Sequence, residues 1–379
     1  MQIDSTSGLF PARRNLLKWT GAVAGASSLG LTAAHAQPAA AVAPTGAREV
    51  GGLRTGMFSY MLASEQFPTA ELVKLGAQAS RAGFQVLSTS DHMQPWQSNE
   101  GHVGQAWVTM GALGAHAHGW MGTTVTCPTL RYNPAVVAEA FATLTHLYPG
   151  RVFLGVGSGE ALNEQAVTGN WPKWQERWDR LIEAITIIRQ LWSGQDVAFK
   201  GKYYTVNARL YDPPTTPIPL LTAANGKKSM RLAGQYGDGL VTDPMSWMQH
   251  KSEWQEGARA AGKDPAQMPV LVEQYVVVGD QHAADQAAEF WRFGPKAFKT
   301  LYNVRSPAEI QQKADAGTPL SEVQKSWAIG TDPAVHINKM RQLFDSGVSI
   351  VNVHSGQPDQ TRVIEFYAQR VLPAFKQPA

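Results

Sequence analysis

The chain is predicted to be an α/β protein, a (β/α)8 TIM barrel decorated with insertion segments. Three observations predict it. From Gly51 onwards short apolar, β-type runs alternate with longer helical stretches, and eight such runs can be placed. Polar and glycine-rich clusters stand directly after several of these runs, where a barrel carries its chemistry. The competing doubly wound sheet wants a glycine-rich dinucleotide turn after its first strand, and Phe58-Ser59-Tyr60-Met61 offers none.

The elements follow in order. Leu53 to Ser59 reads as the first strand, and Pro68 to Ala82 as a helix stopped by Gly83. Phe84 to Thr89 is a second strand, Val103 to Ala117 a helix, and Trp120 to Thr126 a third strand. Pro134 to Leu147 has proline in its first turn and Gly150 after its end, both helix signals. Arg151 to Gly157 is the fourth strand, followed by an amphipathic helix over Lys173 to Trp192 and a small hairpin around Gly201. Ile218 to Thr222, Gly237 to Thr242 and Val270 to Gly279 supply later strands. Phe293 to Ile329 breaks the rhythm and is expected to be an insertion of short helices. A helix over Pro333 to Ser346, a last strand over Ser349 to His354 and a closing helix over Asp359 to Phe375 complete the chain.

Residues 1–36 are expected to be a twin-arginine signal peptide. Arg13 and Arg14 precede a small, mildly apolar run from Gly21 to Ala34, and Ala34-His35-Ala36 fits a cleavage site. Residues 37–50 form a Pro/Ala-containing linker, and 51–379 the barrel. The protein is thus expected in the periplasm or cell envelope, with the twin-arginine translocation machinery as a partner. Lone Cys127 permits no internal disulfide and reads as a small buried residue.

The formal net charge is +3, of which the signal segment carries about two. A near-neutral body argues against nucleic acid as a partner, because phosphate binding needs concentrated Lys and Arg. His116 and His118 have no further ligand at metal spacing, so no metal is expected. Twelve Trp residues suggest a pocket for a flat ring or a sugar.

Ser90-Asp91-His92-Met93-Gln94-Pro95-Trp96 places a carboxylate, an imidazole and an indole just beyond the second strand. His92 is the natural base candidate, since only His titrates near neutrality unperturbed. Asp91 suits a ligand hydroxyl or, more plainly, the backbone donors of its own turn. A second cluster, Gly157-Ser158-Gly159-Glu160-Ala161-Leu162-Asn163-Glu164, follows the fourth strand. Glu160 there suits an acid kept protonated by desolvation, or simple charge pairing with a helix start. Asn163 offers an amide to a ring carbonyl or phosphate. Thr123 to Thr126 suit close approach by a flat ring, although an ordinary β-branched strand looks the same. Thr222-Ala223-Ala224-Asn225-Gly226, followed by two lysines, is a phosphate-cradle candidate.

Together with Ala63-Ser64-Glu65-Gln66-Phe67 and Arg131-Tyr132-Asn133-Pro134-Ala135, these two clusters resemble the F420-dependent dehydrogenases of the luciferase-like barrel superfamily. The likeness runs from about residue 53 to the end of the chain. It implies coenzyme F420 across the barrel mouth, accepting hydride at its deazaflavin C5 from an alcohol carbon. It further implies that His92 removes the hydroxyl proton, Trp96 steadies the developing charge, and Glu160 protonates the reduced ring. Glu65 would support the substrate pocket. Asp91, Thr124, Val125, Asn163, Ala224 and Gly226 would lie along the cofactor, with a non-proline cis peptide at Thr124-Val125.

Within the family the chain is similar to a sugar-phosphate branch and, more closely, to an exported branch acting on hydroxylated lipids. Gly330 to Ile337 and the export signal carry the second likeness. The phosphate-holding places of the first fall here at Asp243 to Ser246, Leu301 and Ser326, none of them basic. A non-phosphorylated or lipid alcohol is therefore the expected substrate. A homodimer is expected by analogy. An FMN-dependent monooxygenase on the same scaffold and a periplasmic small-ligand binding protein are the alternatives.

Overall fold

A computed structural model describes residues 52–375; the signal-peptide and linker segments lie outside the described residues. Eight parallel strands close into a barrel. They are β1 (Met57–Leu62), β2 (Val86–Thr89), β3 (Trp120–Thr123), β4 (Val152–Val156), β7 (Leu220–Ala223), β8 (Gly239–Thr242), β9 (Val270–Val277) and β11 (Ile350–His354). Strands β5 (Val197–Lys200) and β6 (Thr205–Ala208) form an antiparallel hairpin outside the ring, and β10 (Ala328–Ile329) adds to β9. The ring closes through β1 on β11 and β8 on β9, so it has no free edge.

Alternation along the strands sorts two cores. Met57, Val86, Phe153, Leu221, Val241, Leu271 and Ile350 point inward and, with Leu53, plug the base of the barrel. Their neighbours, such as Phe58, Leu87, Leu154 and Val272, point outward and pack the strands against the helices. The open space therefore lies at the carboxyl end.

The connecting helices carry the caps their sequences promise. They are α1 (Thr69–Ala82), α2 (Ala106–Gly114), α3 (Pro134–Leu147), α4 (Ala161–Thr168), α5 (Trp174–Trp192), α6 (Lys227–Tyr236), α7 (Pro244–Ala260), α8 (Gln281–Phe290), α9 (Pro307–Gly317), α10 (Leu320–Gln324), α11 (Pro333–Asp345) and α12 (Gln360–Phe366). Gly83 stops α1 in the left-handed region at φ 106°. Asn133, Asp243 and Asp332 cap α3, α7 and α11, each ahead of a proline in the first turn.

Four departures from the expected elements have local causes. The first strand starts at Met57 instead of Leu53, because Gly56 turns the chain at φ 90° and Leu53 goes into the basal plug. The third strand ends at Thr123, where the cis Thr124-Val125 peptide interrupts it, and Thr126 rejoins the sheet by a bridge to Val156. The cluster after β4 is not all loop, since α4 starts inside it. The closing helix changes pitch after Phe366 into a π turn and then a 3-10 turn, as Pro373 has no N–H for the α ladder. The insertion contains short helices as expected, α9 and α10, with 3-10 turns before them.

Candidate active site

The loop after β1 brings Glu65, the loop after β2 brings His92 and Trp96, and the β4–α4 turn brings Glu160 and Asn163. His92 is where they meet. Its Nε2 lies 3.3 Å from Glu65 Oε1, while its Nδ1 lies 3.1 Å from Asn163 Nδ2 and 3.3 Å from the Gln94 carbonyl.

The proton positions follow from the donors around them. Asn163 Oδ1 accepts from Met93 N at 2.7 Å and Gln94 N at 3.3 Å, which turns its NH2 toward His92. The neutral imidazole therefore accepts at Nδ1 and carries its own proton on Nε2, toward Glu65. Glu65 is buried, and its second oxygen accepts from Ser90 Oγ at 2.5 Å. Beside it, burial and then the Glu65 charge push the Glu100 carboxyl well above the usual range.

Glu160 occupies the N-cap position of α4 without capping it; its Oε2 lies 3.4 Å from the same Asn163 NH2. One amide thus bridges the imidazole and the second carboxyl. Trp96 is buried with its ring centroid 6.0 Å from that of His92, and it stacks on Phe293 of the insertion at 4.6 Å.

Asp91 is differently employed. Its Oδ2 accepts from Thr126 Oγ1 at 2.6 Å, and its Oδ1 from Arg131 Nη2 and Tyr132 OH, both at 3.1 Å. Both oxygens are thus taken by the protein, and the residue ties the β2 loop to the segment before α3. The Arg131 backbone N–H donates to Glu164 Oε2 at 2.6 Å. Burial pushes the Glu164 carboxyl up to about 7, against the opposing pull of Arg131.

Val125, just after β3, makes a shelf between the β2 loop that carries His92 and the β4 turn that carries Glu160. A Cβ on Gly155 or Gly157 would come within 3.0 or 2.7 Å of the Val125 methyls, so both glycines let this side chain lie flat across the strand ends. Thr124 Oγ1 turns to Met61 Sδ at 3.6 Å. Ala223 continues the shelf to the β7–α6 turn, where the Ala224 carbonyl accepts from Thr242 Oγ1 at 2.7 Å. Gly226 caps α6, followed by Lys227 and Lys228, a positive helix end suited to an anion. An apolar shelf leading to such a helix end fits a flat, negatively charged cofactor.

Five contributors escaped the sequence reading. Arg131 and Tyr132 were legible as a motif but not as partners of Asp91. Glu164 lay inside a quoted cluster without a role. His354 ends a barrel strand and contacts Glu273. The signal for Glu273 was a carboxylate set in the apolar run Val270-Leu271-Val272.

A carboxylate-held imidazole facing a flat shelf, at the mouth of a closed parallel barrel, marks a redox barrel that handles a proton beside a ring cofactor. The chain belongs to the luciferase-like F420-dependent dehydrogenase family. The family described as luciferase-like monooxygenase matches residues 49–349. Over 320 residues the chain is 45% identical to the F420-dependent hydroxymycolic acid dehydrogenase of Mycobacterium tuberculosis, covering 83% of this chain and 87% of that protein. It is 38% identical over 329 residues to F420-dependent glucose-6-phosphate dehydrogenase 1 of Rhodococcus jostii, covering 84% and 98%. A solved F420-dependent secondary alcohol dehydrogenase in complex with an F420-acetone adduct superposes with a TM-score of 0.81 at 32% identity, covering 85% of this chain and all of that one.

Proposed function

We propose that the protein is an F420-dependent dehydrogenase that oxidises a non-phosphorylated, lipidic alcohol outside the cytoplasm. The observation that carries the reading is the clamp on His92, with Glu65 on one nitrogen and Asn163 on the other. Family membership and the F420-dependent relatives supply the cofactor. Bound F420 supplies the two-electron acceptor for the alcohol carbon.

The chain's own residues handle the proton. His92 takes the hydroxyl proton at Nδ1 as the Asn163 N–H that holds this lone pair is displaced, and the imidazolium so formed is stabilised by Glu65 at Nε2. The Gln94 carbonyl, 3.3 Å from Nδ1, accepts from the new N–H. The Trp96 ring adds a favourable aromatic face to the cation. Glu160, kept near His92 by the shared Asn163 amide, would be the acid available to a cofactor bound there. Val125 and Thr124 would hold the cofactor's ring, and the Gly226 helix end would hold its anionic tail.

The rim supports an apolar substrate. Met93 and Phe298, outside the regular elements, and Met245, in the first turn of α7, are all more than half exposed. Of the places where the sugar-phosphate branch holds its phosphate, Leu301 is buried and Asp243 caps α7 through Ser246 N at 2.9 Å. Charge-assisted phosphate bonds are missing there. Export through the twin-arginine machinery rests on Arg13, Arg14 and the cleavage motif, and a homodimer completes the reading.

The test is direct. Purified protein is mixed with F420 and a panel running from sugars to long-chain hydroxy lipids, and loss of the deazaflavin's visible absorbance is followed. Turnover of apolar alcohols but not of glucose 6-phosphate is expected. Spectral capture of FMN instead of F420, or ligand binding without turnover, would replace this reading with one of the alternatives. Export is tested separately by following Arg13→Lys/Arg14→Lys, which should stay in the cytoplasm.

A further inference from the structure

The eight barrel strands contain no Lys, no Arg and no Asp, and a single Glu, Glu273 on β9. Alternation from inward Leu271 aims it into the barrel, one layer above the basal plug. A strand hydrogen-bonded on both sides in a closed ring shows its inward side chains only to the lumen. Yet 32% of the Glu273 side chain is accessible, so the carboxylate lines open space in the mouth.

It is held there. His354 Nδ1 pairs with Glu273 Oε1, and the imidazole stacks on Tyr275 at 4.4 Å. Burial first, and then the carboxylates of Glu273, Glu100 and Glu65, push the Tyr275 phenol well up, so these acids share one lumen. Asn352, the register partner of Glu273 on β11, buries an Oδ1 with no partner, and His354 buries a partnerless Nε2. Buried polar atoms are normally satisfied, and orphans beside an accessible carboxylate point to a ligand that supplies the bonds. In the ring order β1-β2-β3-β4-β7-β8-β9-β11, β9 stands diametrically across from β3 and β11 across from β4. Glu273 and Asn352 thus face the Val125 shelf from the far wall, on the substrate side of a ring lying on it.

We infer that Glu273, braced by His354 and flanked by Asn352, is the residue that selects the substrate head group. It accepts a hydrogen bond from a second donor on the alcohol, a hydroxyl or an ammonium, and it repels phosphate and carboxylate. This rests on the dehydrogenase reading above, and it places the choice of substrate charge on the inner barrel wall as well as at the rim. An unpaired like charge brought against a carboxylate inside a narrow lumen is disfavoured.

The experiment compares wild type, Glu273→Gln and Glu273→Lys. With F420 present, kcat/KM is measured for a neutral diol and for its phosphomonoester. The phosphorylated-to-neutral ratio should rise at least about tenfold in Glu273→Lys, and less in Glu273→Gln. A ratio unchanged across the three proteins overturns the inference. Calorimetric titration of each cofactor-free protein with inorganic phosphate is independent of turnover. Glu273→Lys should show a salt-sensitive phosphate site beyond any that all three proteins share at the Gly226 helix end, and equal behaviour of all three overturns the inference there as well. If wild type fails to turn over any alcohol, the dehydrogenase reading falls while the phosphate titration still decides the role of Glu273. Glu273→Gln preserves shape, and its circular dichroism and thermal midpoint serve as the folding control.

Discussion

Glu65 and His92 leave the ends of adjacent strands, β1 and β2, and their side chains meet at 3.3 Å, with 3% and 12% of each exposed. A buried carboxylate at one imidazole nitrogen both selects the tautomer and stabilises the cation formed when the other nitrogen takes a proton. Glu65→Gln should retain F420 binding and lose kcat by roughly 100-fold or more. Steady-state F420 reduction alongside fluorescence titration of the cofactor checks it, and an unchanged kcat would remove Glu65 from the proton path.

Asn163 offers a finer probe. Asn163→Asp keeps the acceptor that Met93 N and Gln94 N require, while replacing the donor that faces His92 Nδ1. The imidazole must then carry its proton on Nδ1, and the Nδ1 lone pair that takes the proton is lost. A kcat decrease of roughly 100-fold is expected with the thermal midpoint little changed. NMR of ring nitrogens labelled in His92 reports the tautomer directly.

Asp91 and Arg131 form a pair with 0% and 7% of their side chains exposed. Arg131→Met strips the partner from a buried carboxylate and should destabilise by roughly 3–5 kcal/mol. Urea unfolding measures it. Asp91→Asn keeps acceptor capacity toward Thr126 and should cost less than Arg131→Met; the reverse order would mean that Asp91 serves a ligand more than the fold.

Glu164 predicts a pH dependence. Its folded-state pKa stands near 7, above the ordinary 4.5, so the folded protein holds a proton there that the unfolded chain releases. Stability from this group is complete below about 4.5 and is lost as pH rises through about 7. The steepest slope is about 1.4 kcal/mol per pH unit. Thermal midpoints of wild type should fall between pH 5 and pH 8, and those of Glu164→Gln should fall less across the same range.

Much of this protein was legible before any coordinates. Strand and helix periods, prolines at helix starts and glycines at their ends are local properties, so element order and barrel class could be read directly from Gly51 to Phe375. His92, Trp96 and Glu160 stood out because reactive side chains followed apolar runs. The cis peptide at Thr124-Val125 came from the family likeness, and the structure has it.

Tertiary structure decided everything that depends on which strand ends become neighbours. Nothing local says that Glu65 reaches His92, that one Asn163 amide joins His92 to Glu160, or that Arg131 and Tyr132 share one oxygen of Asp91 while Thr126 takes the other. Glu273 shows the same limit. A lone carboxylate in an apolar strand is visible in the sequence, but whether it points to helices or into a shared lumen is set by closure of the ring. Side-chain chemistry is written residue by residue, whereas distance, burial and charge pairing arise only when separate loops converge over one barrel mouth.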